Sequence, residues 1–170
     1  MLVFQYGSNC STARLNSHDR LRAAAVPVGR ADLDGYQLTF DVWSDSNNCA
    51  ASDIVVAPAQ TVQGVLFEVP DELMSRETVP KGSRSFDAIE GRRYDRVPIT
   101  VRRPDGSRVQ AVTYSARPNE RRANIRTTSA YVAHIIIGLR EHGADPDYIE
   151  TVKTIACTNN PAITDAIGQL

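Results

Sequence analysis

The chain has 170 residues, of which 42% are hydrophobic, and this is enough apolar material for one domain spanning residues 1–170. Its net charge of −1 disfavours nucleic acid or an anionic membrane as a main partner, and no apolar run approaches the roughly 20 residues that cross a bilayer. The N terminus lacks a signal-peptide pattern, and Cys10, Cys49 and Cys157 form no C-x-x-C pair. These features predict a cytoplasmic protein with reduced thiols.

Five strands are predicted where apolar and polar residues alternate between turn signals. Pro70 ends the third strand, and Asp105-Gly106 is typical of the hairpin turn that joins the last two. The predicted strands are residues 2–6, 36–42, 62–69, 97–101 and 109–116. The polar stretches 45–52 and 80–85 are predicted to be loops.

Three helices are predicted after the strands. Apolar residues at positions 132, 135, 136 and 139 follow the spacing of one buried helical stripe, which stops near Gly143. Asp145-Pro146 and Asn160-Pro161 each place a capping residue before a proline at the first helical position. Strands followed by helices predict an α+β fold, and mostly antiparallel strands with two apolar faces favour a curled or barrel-like sheet.

The common catalytic signatures are absent from the sequence. It has no G-x-S-x-G elbow, no P-loop, no H-E-x-x-H and no dinucleotide-binding glycine pattern. The histidines, His18, His134 and His142, are scattered, and no third ligand lies at a useful spacing from the last two. We therefore expect no metal site and no organic cofactor.

The segment Tyr6-Gly7-Ser8-Asn9, at the end of the first strand, is one candidate for a functional site. A glycine and two short polar residues allow a sharp turn that leaves several backbone N–H groups facing one space. Such a nest binds a carboxylate or an oxyanion. The alternative interpretation is an ordinary turn in which Gly7 has a positive φ.

A second candidate is Glu90, which lies at the end of a short predicted helix that Gly91 stops. Phe86 and Ile89 are three residues apart and are expected to face the core. The negative end of the helix dipole disfavours an ionised carboxylate, so the pKa of Glu90 should be raised towards general acid/base use. The alternative is a solvated glutamate at a helix end.

Taken together, these segments resemble the γ-glutamylcyclotransferase family over nearly the whole chain. The match rests on Phe-Gln-Tyr-Gly-Ser-Asn at 4–9, Phe-Asp-Ala-Ile-Glu-Gly at 86–91, and shorter segments in the same order. Those segments are residues 64–69, 94, 111–114, 131, 135–138, 141–144 and 147–149. The resemblance implies a small, mostly antiparallel β-barrel flanked by helices.

The resemblance also implies an activity, which is the release of 5-oxoproline and a free amine from γ-glutamyl amides. Glu90 matches the family's acid/base. The substrate-binding positions that it implies are Val3, Phe4, Gln5, Tyr6, Gly7, Ser8, Asn9, Tyr94, Tyr114 and Tyr131. The substrate's own α-amine attacks its γ-carbonyl, so no protein nucleophile is needed. A monomer or homodimer with a small-molecule substrate is expected.

Two departures from the family pattern bear on substrate choice more than on chemistry. Phe86 replaces the usual leucine of the Leu-Asp-x-x-Glu-Gly motif, and residues 70–85 form a longer segment than in compact members. Three other functions remain open. One is the deprotection of a γ-glutamylated biosynthetic intermediate or γ-glutamylamine, another is non-catalytic binding of an amino-acid-like ligand, and the third is a structural or interaction domain. Glu90 argues against the binder, which needs no acid there.

Overall fold

The computed structural model describes residues 1–170, which form five strands and five α-helices. The strands are β1 (Leu2–Gln5), β2 (Val26–Ser44), β3 (Cys49–Glu68), β4 (Tyr94–Arg102) and β5 (Arg108–Ala116). The helices are α1 (Thr12–Leu15), α2 (Phe86–Glu90), α3 (Ser129–Glu141), α4 (Pro146–Asn159) and α5 (Thr164–Gly168). No helix is long and apolar enough to span a membrane.

The strands close into a barrel in the order β1-β3-β2-β4-β5. All neighbours are antiparallel except β1 and β5, which meet in parallel at Val3 and Val112. Closure between β2 and β4 likewise rests on one pair, Asp32 with Arg102. The structure thus confirms the predicted α+β fold with a small, mostly antiparallel barrel.

The β2–β3 hairpin is much longer than the sequence pattern predicts, with strands of 19 and 20 residues. The register shifts three times, at Pro27/Gly29, Asp34/Tyr36 and Phe40/Val42. Residues 49–54 of β3 are all buried, so apolar and polar residues do not alternate there, and only residues 36–42 and 62–69 were recognisable as strands. The predicted loop at 45–52 is therefore wrong in its second half, because only residues 45–48 form the turn.

The predicted buried stripe of α3 is confirmed, since Val132, Ile135, Ile136 and Leu139 are all in the core. On the same helix, Gly138 lies against the backbone of Cys10 and Ser11, where an added Cβ would overlap both residues. This close approach packs α3 directly onto the loop that follows β1. The candidate loop at residues 6–9 is therefore held between the barrel and α3.

The two proline-led helix starts are also found where the sequence predicts them. Pro146 opens α4, and Pro161 opens a 3₁₀ turn (Pro161–Ile163) that leads into α5. The capping chemistry of α4 differs from the expectation, because the Asp145 side chain accepts hydrogen bonds from Gln63 and Arg30 instead of capping the helix. Asp145 thus ties the start of α4 to the barrel.

Candidate functional site

A cavity of about 260 Å³ opens where the loop after β1 meets the C-terminal end of α2. Most of the residues implicated by the sequence analysis line this cavity. They are Gln5, Tyr6, Gly7, Ser8, Asn9, Glu90, Tyr94, Tyr114 and Tyr131. They come from β1, α2, β4, β5 and α3, so the fold brings together segments that are more than 100 residues apart.

Val3 and Phe4 do not join this group. Both side chains are fully buried, and neither lines the cavity. The Phe4 ring packs against Gly64 so closely that a Cβ on the glycine would overlap it. Their side chains therefore pack in the core, and the contact of these two positions with substrate stays a prediction from the resemblance.

Glu90 lies at the last position of α2, and local sequence fixes this helix at both ends. The Ser85 hydroxyl accepts a hydrogen bond from the Ala88 N–H at the start, and Gly91 ends the helix with a φ of 87°. Phe86 is buried beneath it, as predicted. The Glu90 side chain is left half-buried at the wall of the cavity.

The pKa of the Glu90 carboxyl is raised above its ordinary value, chiefly because burial disfavours the charged form. The hydrogen bond from Asn9 and the charge of Arg20 act in the opposite direction and do not outweigh burial. The predicted direction is confirmed. Desolvation, rather than the dipole of a five-residue helix, is the main cause.

Asn9 connects Glu90 to an arginine that the sequence analysis missed. Its Nδ2 donates to Oε1 of Glu90 at 2.9 Å, and its Oδ1 accepts from Nη1 of Arg20 at 3.0 Å. The amide orientation is therefore fixed from both sides. Arg20 lies in an irregular turn with no periodic pattern, and no motif singled it out.

Gly7 is required for a reason other than the one expected. Its backbone is extended, with φ −102° and ψ −154°, so the predicted positive φ is wrong. An added Cβ would instead overlap Oγ of Ser52 on β3. The backbone N–H groups of Tyr6 and Gly7 donate no hydrogen bond within the protein, although both residues line the cavity.

Ser52 organises two of the predicted tyrosines. Its backbone N–H donates to the Tyr131 hydroxyl at 3.2 Å, its own hydroxyl lies 3.0 Å from the same oxygen, and its C=O accepts from the Tyr94 hydroxyl at 2.8 Å. Ser52 escaped the sequence analysis because it lies in the stretch predicted to be a loop. Its role follows from the register of β3.

The other two tyrosine hydroxyls of the cavity are also held by the protein. Tyr6 donates to the C=O of Tyr114 at 2.6 Å, and Tyr114 donates to Oδ1 of Asp87 at 2.7 Å. Burial raises the pKa of Tyr6, Tyr94, Tyr114 and Tyr131 above the ordinary value. All four hydroxyls therefore stay protonated near neutral pH.

Comparison with known protein families gives a match that covers most of the chain and the residues around the cavity. The family described as "Gamma-glutamyl cyclotransferase, AIG2-like" matches residues 3–132. The chain belongs to this family. The matched range includes the loop after β1, Glu90 and Tyr131, while α4 and α5 lie beyond it.

Solved structures of γ-glutamyl cyclotransferases and related proteins share the fold. One described as a gamma-glutamyl cyclotransferase is 20% identical, with a TM-score of 0.76 and coverage of 100% of this chain and 99% of its own. An uncharacterized human protein is 21% identical, with a TM-score of 0.74 and coverage of 91% and 86%. YkqA from Bacillus subtilis is 22% identical, with a TM-score of 0.71 and coverage of 91% and 53%. Among curated proteins, no sequence match was found.

Proposed function

We propose that this γ-glutamyl cyclotransferase family member converts a γ-glutamyl amide into 5-oxoproline and the free amine, with Glu90 as base and then acid. The observation that carries the proposal is the position of Glu90. Its carboxyl has a raised pKa and lines a cavity together with Tyr6 and Gly7, whose backbone N–H groups donate no hydrogen bond within the protein. A proton acceptor beside anion donors is what an intramolecular aminolysis requires.

The first step is the activation of the attacking amine. The substrate's α-amine is an ammonium near neutral pH, with a pKa of about 8, and it cannot attack until it loses a proton. Glu90 accepts that proton. The neutral amine then attacks the γ-carbonyl carbon of the same molecule, closing a five-membered ring, and the tether supplies the proximity that a bimolecular attack lacks.

The second step is the departure of the leaving amine. Protonated Glu90 donates to the leaving nitrogen, the C–N bond breaks, and the γ-carbonyl forms again as the lactam of 5-oxoproline. Glu90 then takes the second proton from the ring nitrogen and passes it to the released amine, so in all the attacking nitrogen loses two protons and the leaving nitrogen gains two. Glu90 ends as the carboxylate with which it began, so a single acid/base group completes the cycle.

The unpaired N–H groups of Tyr6 and Gly7 supply the second requirement, which is stabilisation of negative charge. The substrate carries a carboxylate beside its α-amine, and its γ-oxygen becomes an oxyanion when the amine attacks. Backbone donors held rigidly in place stabilise such charge without reorganising. The contacts of Gly138 with the loop and of Ser52 with Tyr131 provide the required rigidity.

The proposal is tested by incubating the purified protein with γ-glutamyl dipeptides and γ-glutamylamines and measuring 5-oxoproline. We expect its release together with one equivalent of the amine. Release from γ-glutamylamines or a larger γ-glutamylated intermediate alone would indicate a deprotecting role. Binding of 5-oxoproline without turnover of any substrate would show the protein to be a non-catalytic binder.

A further inference from the structure

The orientation of the Asn9 amide decides what the Glu90 carboxyl meets, because the two ends of an amide are similar in shape and opposite in hydrogen-bonding character. With Nδ2 towards Glu90, Asn9 donates to the carboxyl at 2.9 Å and stabilises its ionised form. With Oδ1 in that place, Asn9 would accept a hydrogen bond from the carboxyl and stabilise its protonated form. The protonation state of the proposed base thus depends on the orientation of one amide.

Arg20 sets that orientation from the other end of the amide. Its Nη1 lies 3.0 Å from Oδ1 of Asn9. A guanidinium has five N–H donors, no acceptor, and a charge that it keeps in proteins, so only the oxygen of the amide can face it. Glu90 cannot set the orientation in this way, because its carboxyl donates when it is protonated and accepts when it is ionised. Arg20 is therefore the member of this trio that determines which way the amide points at every pH.

The Arg20 side chain has no other partner in the protein. It is half-buried and lines the cavity, its one hydrogen bond is to Asn9, and it makes no ion pair. Arg93, which also lines the cavity, differs, since it pairs with Asp45 at 2.8 Å. Burial raises the pKa of Glu90 most, and Asn9 and Arg20 are the first two groups that act against it. The contact with Asn9 is thus what the protein offers to this guanidinium.

The turn that carries Arg20 is firmly built, although it follows no periodic pattern. Arg22 and Ala23 both have a positive φ, of 51° and 66°, which is uncommon for residues other than glycine and persists only where the surroundings impose it. The backbone N–H groups of Arg20 and Arg22 donate to the C=O of Ser17 at 3.0 and 3.1 Å, and Leu21 is buried in the core. None of these contacts uses the Arg20 guanidinium, so a variant that lacks it should keep the turn.

We propose that Arg20 is a positioning residue for the base, which donates to Oδ1 of Asn9 so that Nδ2 faces Glu90 and the carboxyl is held in its proton-accepting form. The same donor disfavours retention of the proton that Glu90 takes up, and so favours its transfer to the leaving nitrogen. Arg20 acts through Asn9 and needs no contact with the substrate. The role in turnover rests on the proposed function, whereas the effect on Glu90 can be measured without a substrate.

The other titratable groups around Glu90 lie on several elements and remain unchanged in the test. Besides Arg20 they are Cys10, Asp87 and the four tyrosines of the cavity. The tyrosines stay protonated near neutral pH, and Asp87 accepts a hydrogen bond from Tyr114. Arg20 is the cation of this set, so the design must separate its charge from its contact with Asn9.

The test follows the titration of the Glu90 carboxyl by NMR, in protein isotope-labelled at its glutamate carboxyl carbons. The Glu90 signal is the one that is absent from Glu90→Gln. The titration midpoint is compared in the wild type, Arg20→Met, Asn9→Ala, the double variant and the control Arg22→Met. Methionine keeps an apolar stem like that of arginine and removes every donor. Arg22 is exposed on the same turn and lines no part of the cavity, and its side chain donates to the C=O of His18 at 2.9 Å, so the control reports any loosening of the turn.

We expect Arg20→Met to raise the Glu90 midpoint by about one pH unit, the effect of losing a hydrogen bond to the ionised form, and the acidic limb of kcat/KM against pH to move with it. Arg22→Met should leave the midpoint in place. In the Asn9→Ala background, Arg20→Met should raise the midpoint by less than it does alone, because the amide through which Arg20 acts is gone.

Three results would overturn the inference while the proposed function stands. They are no rise in Arg20→Met, an equal rise in Arg22→Met, and a rise at least as large in the Asn9→Ala background, which would show that Arg20 acts by its charge alone. If the midpoints shift as expected but the wild type releases no 5-oxoproline from any γ-glutamyl amide, the proposed function is wrong, and the control of Glu90 by Arg20 through Asn9 is still established.

Discussion

Nδ2 of Asn9 donates a 2.9 Å hydrogen bond to Oε1 of Glu90, which joins the loop after β1 to the end of α2 across 81 residues of sequence. The contact favours the ionised carboxylate and so works against the burial that raises the pKa of Glu90. It also holds one carboxylate oxygen in place. Asn9 therefore adjusts both the basicity and the position of the proposed base.

We predict that Asn9→Ala raises the pKa of Glu90 further, because a hydrogen bond to the charged form is lost. The acidic limb of the plot of kcat/KM against pH should move to higher pH in the variant. Asn119→Ala is a suitable control, since Asn119 is exposed and its side chain makes no hydrogen bond. An acidic limb that stays in place, or moves to lower pH, would show that Asn9 does not act on Glu90 in this way.

The wild-type pH profile is itself a prediction. Proton abstraction requires ionised Glu90, so kcat/KM should rise with pH through the raised pKa of Glu90, above the ordinary range for a glutamate. It should level or fall above about pH 8, where the substrate amine loses its own proton. Steady-state rates across this range check the prediction. A profile that is flat from acid to neutral pH would exclude a single carboxylate as the base.

Glu90 should also lower stability at neutral pH. Because its pKa is higher in the folded state, the unfolded chain releases this proton first as pH rises, and the free energy of unfolding falls over that interval. Glu90→Gln removes this ionisation. The melting temperature of Glu90→Gln minus that of the wild type should therefore be larger at about pH 7 than at about pH 4. A difference in melting temperature that does not change with pH would contradict the account.

Glycine can be required at position 7 because a side chain would overlap its neighbours or because the backbone adopts a positive φ, and these two explanations can be tested separately. Gly7→Ala should destabilise the protein by about 1–3 kcal/mol, the usual cost of overpacking, because the new Cβ meets Oγ of Ser52. In a Ser52→Ala background that oxygen is gone, so the same substitution should cost less. Denaturant unfolding of the four proteins in the cycle measures this coupling.

Gly91→Ala provides the matched control for that cycle. Gly91 has a φ of 87° and open space around its Cβ position, so alanine should cost about 1 kcal/mol through conformation alone, in either background. If Gly7→Ala behaved like Gly91→Ala and cost the same with and without the Ser52 hydroxyl, the steric explanation would be wrong.

Local sequence was sufficient for the features that depend on neighbours along the chain. The apolar spacing of α3, the Asp145-Pro146 start of α4 and the Gly91 stop after Glu90 are each decided within a few residues. The barrel was expected from the strand pattern and from the resemblance to a family, whereas the grouping of Glu90 with the loop at 6–9 was expected from the resemblance alone. No periodic pattern alone brings those two segments together.

The features that sequence did not predict depend on long-range register. Ser52 reaches Tyr131 because the register of the β2–β3 hairpin places it there, and this part of β3 is fully buried and shows no alternating pattern in the sequence. Arg20 reaches Asn9 from an irregular turn. The positive φ expected at Gly7 was wrong for a related reason, since the residue that excludes a side chain there, Ser52, is 45 positions away on β3.

The most direct test of the account is the rate of 5-oxoproline release from a γ-glutamyl amide by the wild type, Glu90→Gln and the control Glu72→Gln. Glutamine keeps the shape of Glu90 and its hydrogen-bonding capacity but cannot accept the proton. The account predicts release by the wild type and by Glu72→Gln, whose exposed side chain makes no hydrogen bond or ion pair. It predicts a loss of two orders of magnitude or more in Glu90→Gln, roughly the contribution of a general base. A folded Glu90→Gln protein that retained most of the wild-type rate would contradict it.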